Sequence, residues 1–254
     1  MSVLQTKIDP YQALKMGQES FLMKVSSTSR LYDVAGKKIL YRPEFSKVKP
    51  YQMGAISHIK SRGAKAEQFA EKRGDPVYIR DFQPAKIAYP KAWEIDIASA
   101  YWETANIYGL IEKAIYEKYE GKKGGWKLAR NMAIGTLNST KHVYYCEPGG
   151  DDTYLEMLPA PAPKVYRKIC GRVGDFLTEL AGCLDIESIF FWVDQIYTTE
   201  KPDFAKLKNM SKKWGYKLKF NPVKVGCYRN KFSVFSETTG RRVFYRKKVQ
   251  KWTS

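Results

Sequence analysis

The sequence predicts an α+β protein with an antiparallel sheet packed by helices, and three observations predict it. From residue 91 onward, apolar β-prone runs alternate with segments whose apolar residues recur at helical spacing. The last two strand candidates are joined by ETTG, 237–240, a hairpin signal that asks for antiparallel neighbours. The composition, 44% hydrophobic and 14% aromatic over 254 residues, is globular and long enough to bury a core in one large domain or two small ones.

The first ninety residues carry the weakest local signals. The stretch PYQMGAISHIKSRGAKAEQFAEKRG, 50–74, reads as helical in its second half, and DPVYIRDF, 75–82, is a short strand candidate. The rest is basic and punctuated by Pro and Gly. No internal repeat or low-complexity linker is found, so nothing forces a domain boundary; residues 1–90 are read as a basic N-terminal region and 91–254 as the body. In that body AWEIDI, 92–97, is a buried strand candidate. YWETANIYGLIEKAIYEKYE, 101–120, places Ala105, Tyr108, Ile111, Ile115 and Tyr119 on one helical face and stops at GKKGG. WKLARNMAIGTLN, 126–138, reads as a second helix, so 102–138 is a helical hairpin.

Further on, 161–184 is a helix with Pro163 near its start and Gly182 near its end. ESIFFWVDQIYTT, 187–199, is a second strongly β-prone run. PDFAKLKNMSKKWG, 202–215, is a helix with Asp203 as its N-terminal charge. YKLKF, KFSVFS and RRVFYRKKV close the chain as strands.

Lys and Arg number 44 against 26 Asp and Glu, a net charge of +18. Such an excess favours an acidic partner, of which nucleic acid is the commonest, over a merely basic surface. Eighteen tyrosines and six tryptophans interleaved with the cations suit phosphate contacts combined with base stacking. Cys146, Cys170, Cys183 and Cys227 form no CxxC pair, and only His58 and His142 could assist them, so reduced thiols in a cytoplasmic protein are expected rather than a zinc site. The N-terminal MSVLQTKIDPYQ lacks a signal-peptide core, and no window approaches an uncharged apolar span, so no membrane partner is expected.

Two aspartates, Asp96 in EIDIAS and Asp194 in FFWVDQIY, lie in or at the end of apolar strand candidates. Burying a carboxylate unpaired costs several kcal/mol. Three arrangements meet that cost: a cationic partner for each, a divalent cation shared from neighbouring strands, or two separate aspartates at strand ends. Lys127 and Asn131, four apart, share one face of their helix, either as ligand groups or as surface residues.

DIASAY, 96–101, resembles the first palm motif of family B DNA polymerases, D-x-x-S-L-Y-P-S, in Asp96, Ser99 and Tyr101; Ala100, Trp102 and Glu103 depart from it. KLARNMAIG, 127–135, resembles the second, K-x-x-x-N-S-x-Y-G, in Lys127, Asn131 and Gly135, with Met132 and Ile134 departing. WVDQIYT, 192–198, resembles the third, D-T-D-S-I-Y-V, in Asp194, Ile196 and Tyr197; Trp192 and Gln195 depart. The resemblance covers about residues 90 to 250 in the family's motif order.

It implies a palm-like sheet with the hairpin 102–138 as minimal fingers, in a polymerase of viral or mobile-element type acting in the cytoplasm, the host's if viral. Asp96 and Asp194, with the Ile97 backbone carbonyl, would hold two Mg²⁺ (or Mn²⁺) ions. Ser99 would shape the turn into the fingers. Tyr101 would lie beneath the sugar of an incoming dNTP, a core tyrosine being the other reading. Lys127 would meet the β- and γ-phosphates, Asn131 the nucleotide, and Lys231 the primer. The implied activity is template-directed nucleotidyl transfer on a DNA template and primer, as a DNA polymerase or a primase.

The short interval between Asp96 and Lys127 leaves room for no larger fingers. No exonuclease domain fits before residue 90, and LDIES, 184–188, mimics an exonuclease D-x-E only by coincidence. A thumb is absent or supplied by the N-terminal third, which implies low processivity and an accessory replication protein. The alternatives are a palm-derived nucleic-acid-binding or structural protein without catalysis, and an unrelated basic α/β protein with chance motifs.

Overall fold

Residue-by-residue burial in the computed structural model follows the alternation of the sequence most clearly around Asp96, the last residue but one of a ten-residue strand. The structure describes residues 3–6, 8–26, 29–41, 50–71, 88–184, 188–228 and 231–246. In chain order the elements are β1 (Val3–Thr6), α1 (Tyr11–Lys15), β2 (Phe21–Val25), β3 (Arg30–Val34), β4 (Lys37–Tyr41), α2 (Gly54–Glu67), β5 (Ala88–Ile97), α3 (Ala100–Ile107), α4 (Lys113–Tyr119) and α5 (Gly125–Gly135). They continue with β6 (Lys141–Cys146), β7 (Asp152–Leu158), α6 (Pro163–Gly182), β8 (Ser188–Trp192), β9 (Gln195–Thr198), α7 (Phe204–Trp214), β10 (Leu218–Tyr228), β11 (Lys231–Ser236) and β12 (Arg242–Arg246). This is an α+β fold. It forms two compact units, Met1–Arg73 with Tyr108–Tyr166, and Gly74–Ile107 with Arg167–Ser254.

The first unit carries a six-stranded sheet in the order β1-β4-β3-β2-β6-β7. Its pairings are antiparallel except β1 with β4. Phe21, Met23, Tyr32 and Cys146 form its core, and Tyr11 and Leu14 of α1 pack against them. A short helix of this kind needs tying down, and polar bonds do it. Tyr11 Oη donates to Asp152 Oδ2 at 2.7 Å, and Lys15 Nζ donates to Asp152 Oδ1 at 3.1 Å and to the Glu147 carbonyl at 2.8 Å. The bond to Asp152 is the main cause that pushes the Tyr11 phenol up to about 12. Burial pushes the Cys146 thiol up to about 12. The helical part of this unit presses α2 onto the turn 136–138, and Glu67 of α2 accepts the N–H groups of Lys164 and Val165 at the start of α6 (3.1 and 3.0 Å). That carboxylate satisfies two donors of an N-terminus whose Pro163 has none to offer.

The second unit carries a wholly antiparallel sheet in the order β12-β11-β10-β5-β9-β8. Successive residues of β5 point to opposite faces. Ile95 and Ile97 pack with Val173, Phe176, Leu177 and Leu180 of α6 and Leu207 and Met210 of α7. Ala92 packs instead with Phe190, Tyr197, Val223 and Phe232. Asp203 caps α7, accepting from the N–H groups of Ala205 and Lys206 at 2.9 and 3.0 Å, and Gly215 ends it at φ 79°.

Several local expectations are corrected. The helix expected over 101–120 is broken into α3 and α4, so 102–138 holds three helices rather than a two-helix hairpin. Gly109 at φ 67° stops α3, and Ile111, which mimicked the helical period, is buried with Leu110 in a non-helical link. Within 50–74 the helix occupies Gly54–Glu67, earlier than the second half. The strand read as YKLKF runs on to Tyr228 through Pro222. Proline, which offers no N–H, stands one residue before β11 begins pairing at Val223, and its carbonyl accepts the Glu237 N–H at 3.3 Å. The candidate DPVYIRDF and residues 185–187 of LDIES lie outside the described residues.

Candidate active site

β5 ends at Ile97, and the β8–β9 hairpin turns beside it. Trp192 pairs with Gln195, so Val193 and Asp194 make a two-residue loop. Asp96 pairs with Gln195, and the Ile97 N–H donates to the Asp194 carbonyl at 3.1 Å. Asp96 and Asp194 therefore stand at adjoining ends of neighbouring strands within one unit.

The backbone here is strained. Val193 has φ 60° and Ser99 φ 53°, two of the three non-glycine residues with positive φ among the described residues. A positive φ at the first loop position is where this kind of hairpin usually takes glycine, and a β-branched side chain there is a marked outlier. The Asp194 N–H also closes back on the Trp192 carbonyl at 2.7 Å, tightening the turn. Each such conformation costs on the order of 1–3 kcal/mol and persists only where the surroundings enforce it. Ser99 directs the chain into α3, its carbonyl accepting the Glu103 N–H at 2.9 Å.

The Asp96 side chain lies on the sheet face opposite α6 and α7, with side-chain exposure of 22%. Its Oδ1 accepts from Gln195 Nε2 at 3.3 Å, and Lys219 Nζ, from the paired position on β10, lies 3.8 Å from Oδ2. Asp96 thus has a cationic neighbour, though at a distance and exposure where an ion pair contributes little. Glu94, two residues earlier on the same face, is held more firmly. Tyr197 Oη donates to Glu94 Oε1 at 2.8 Å, Asn221 Nδ2 donates to Oε2 at 2.8 Å, and Tyr197 Oη also lies 2.9 Å from Gln195 Oε1. A polar row, Asn221–Glu94–Tyr197–Gln195–Asp96–Lys219, crosses three strands. Sequence reasoning gave Glu94, Asn221 and Lys219 no role. The signal was present for Glu94: in WEID it shares the alternation of Asp96.

Tyr101, in the first turn of α3, is half-buried and packs against the core that includes Ile97, Phe176 and Tyr216. Lys127 and Asn131 are both exposed on α5, which belongs to the first unit. Lys231 is exposed at the start of β11, paired with Tyr228 and Arg246.

Two carboxylates at adjoining strand ends are oxygen donors of the kind Mg²⁺ takes, since that ion usually binds through one or two carboxylates and completes its shell with water and phosphate oxygen. The donor chemistry fits. Among the described residues no group of three or more His, Cys, Asp or Glu side chains gathers as a metal cluster. No helix among them is long and apolar enough to cross a membrane. No protein-family model matches the chain, and no curated protein is significantly similar to it.

Proposed function

We propose that the chain is a template-directed nucleotidyltransferase, a DNA polymerase or primase with a minimal palm, in which Asp96 and Asp194 are the catalytic carboxylates. The observation that carries the reading is the bond from the Ile97 N–H to the Asp194 carbonyl. It joins the ends of two antiparallel strands that bear the two aspartates, beside two strained non-glycine residues. In this reading Asp96 and Asp194, with the Ile97 carbonyl, hold Mg²⁺ or Mn²⁺, which activates a primer hydroxyl and neutralises triphosphate charge when bound.

The chain's own residues supply orientation. Gln195 holds one oxygen of Asp96, and the Tyr197 hydroxyl, which also bonds Glu94, meets Gln195 in turn. Ser99 and Tyr101 belong to the nucleotide side of the site by resemblance, as do Lys127, Asn131 and, for the primer, Lys231. Template and primer DNA, dNTPs and an accessory replication protein are the partners this activity requires.

The test is incorporation of labelled nucleotide on a primer–template and on a bare single-stranded template, with Mg²⁺ or Mn²⁺ and with dNTPs or NTPs. Metal-dependent extension is expected in the wild type and is abolished by Asp96→Ala and by Asp194→Ala. Growth on the bare template would make the enzyme a primase. A specific contact favours a second reading, a palm-derived nucleic-acid-binding protein without catalysis: the Lys219 ammonium already attends Asp96. Folded wild-type protein that binds DNA but incorporates nothing under any of these conditions would establish that reading.

A further inference from the structure

In the first unit, three aromatic rings and a lysine-rich turn are gathered at one place. Tyr51, in the turn Pro50–Gln52, is 56% exposed and lies 5.6 Å from Trp126 of α5, ring centre to ring centre. Trp126 meets the buried Tyr119 edge-on at 5.0 Å. Lys122 Nζ sits 4.4 Å above the Trp126 ring, and Lys122, Lys123 and Lys127 are all exposed. A side chain added at Gly121 or Gly124 would meet nothing within 4 Å, so the turn between α4 and α5 is open to approach. We propose that Tyr51, Trp126 and the lysines at 122, 123 and 127 form a binding surface for single-stranded nucleic acid, stacking a base on the Tyr51 ring and meeting the adjoining phosphates with ammonium groups.

The surface is held in shape from beneath. Tyr119 Oη donates to the Gln52 carbonyl at 2.7 Å and accepts the Ala55 N–H at 3.0 Å, fixing the turn that carries Tyr51. Arg130, 5% exposed, donates to the Tyr119 carbonyl and to the Lys122 carbonyl, the latter at 3.0 Å, fixing the turn that carries Lys122. Burial holds the Arg130 guanidinium below its ordinary pKa, and the neighbouring Glu120 charge works the other way. That acid is the one in 118–130, and Arg130 opposes it, so the exposed charge of the stretch is positive. An aromatic face is sequence-tolerant because every base has a π-face, and a turn set in advance loses little entropy on binding. A duplex hides its base faces, so the surface selects unpaired strands. The inference concerns binding, and of its residues only Lys127 also enters the nucleotidyltransferase reading, so it is tested on Tyr51, Lys122 and Lys123, which that reading does not use.

The experiment is fluorescence anisotropy with a labelled oligothymidylate of about fifteen nucleotides. Its companions are the matching oligouridylate, an abasic strand of the same length, and a duplex. Tyr51→Ala is expected to weaken binding of both base-bearing strands by roughly 5- to 100-fold while leaving the abasic strand and the duplex unchanged. Tyr51→Phe keeps the ring and restores the affinity. The double variant Lys122→Ala, Lys123→Ala weakens base-bearing and abasic strands alike and lowers the slope of log affinity against log salt by about 1.4. Comparing the thymidylate and uridylate strands separates a DNA from an RNA ligand. Equal loss on base-bearing and abasic strands in Tyr51→Ala, no loss on either, or no binding by the wild type at low salt would each overturn the proposal.

Discussion

At the scale of single residues, the polar row beside Asp96 is an unusual use of a sheet face. Tyr197 is fully buried, with its ring stacked on Phe190 at 4.2 Å and nearly parallel to it. Its hydroxyl carries one proton and meets two acceptors, Glu94 Oε1 and Gln195 Oε1. Those contacts connect the firmly held Glu94 to the amide that holds Asp96. Tyr197→Phe removes the hydroxyl and keeps the ring, so the loss reports the polar row alone. Stability should fall by about 1–2 kcal/mol, read as a lower urea midpoint at unchanged slope. If Asp96 serves the proposed reaction, the same variant should lower kcat more than it raises KM for the nucleotide, because it disturbs orientation and not nucleotide contact. A midpoint within about 0.3 kcal/mol of wild type would show that the row contributes nothing measurable.

At the scale of elements, the contact between α2 and the turn 136–138 is a close approach that only glycine permits. Ala55, Ile59 and Gly63 form the buried stripe of α2. A Cβ at Gly63 would lie 2.3 Å from Leu137 Cδ2, so the fully buried Leu137 side chain would have to shift. Alanine would gain about 1 kcal/mol in helix propensity, against an overpacking cost of about 1–3 kcal/mol. Gly63→Ala should therefore destabilise by up to about 2 kcal/mol, and Leu137→Ala in the same chain should recover part of that loss, giving a coupling above about 0.5 kcal/mol in a double-mutant cycle. Additive losses would show that the two residues do not meet.

This contact also marks where the sequence stops being legible. Elements set by local chemistry were readable: the Asp203 cap of α7, Pro163 at the start of α6, and the alternation of β5 around Asp96. Those set by distant chain were not. A glycine in a charged helix announces no neighbour, Gly109 interrupts a period that Ile111 continues, and the partners of Glu94, Tyr197 and Asn221, arrive on other strands.

At the scale of the molecule, each compact unit is assembled from two separated segments, and the sheet pairings decide what can be cut. β6 is flanked by β7 from the same hairpin and by β2, which is more than a hundred residues earlier. A fragment 91–254 would keep residues 91–97 of β5 and every other strand of the second unit's sheet. It would remove β1 to β4, leaving the β6–β7 hairpin alone. A lone hairpin is marginal in water, and this one would expose Val143 and Cys146, both buried in the whole chain, along an unpaired edge. Hydrogen exchange on the fragment should then show protected amides in β5, β9 and β10 and rapid exchange throughout 141–158, together with concentration-dependent association. Protection of 141–158 in the fragment would mean that β2 is not what holds β6. Loss of protection in β5 would mean that the second unit's sheet depends on residues before 91, the first three of β5 among them.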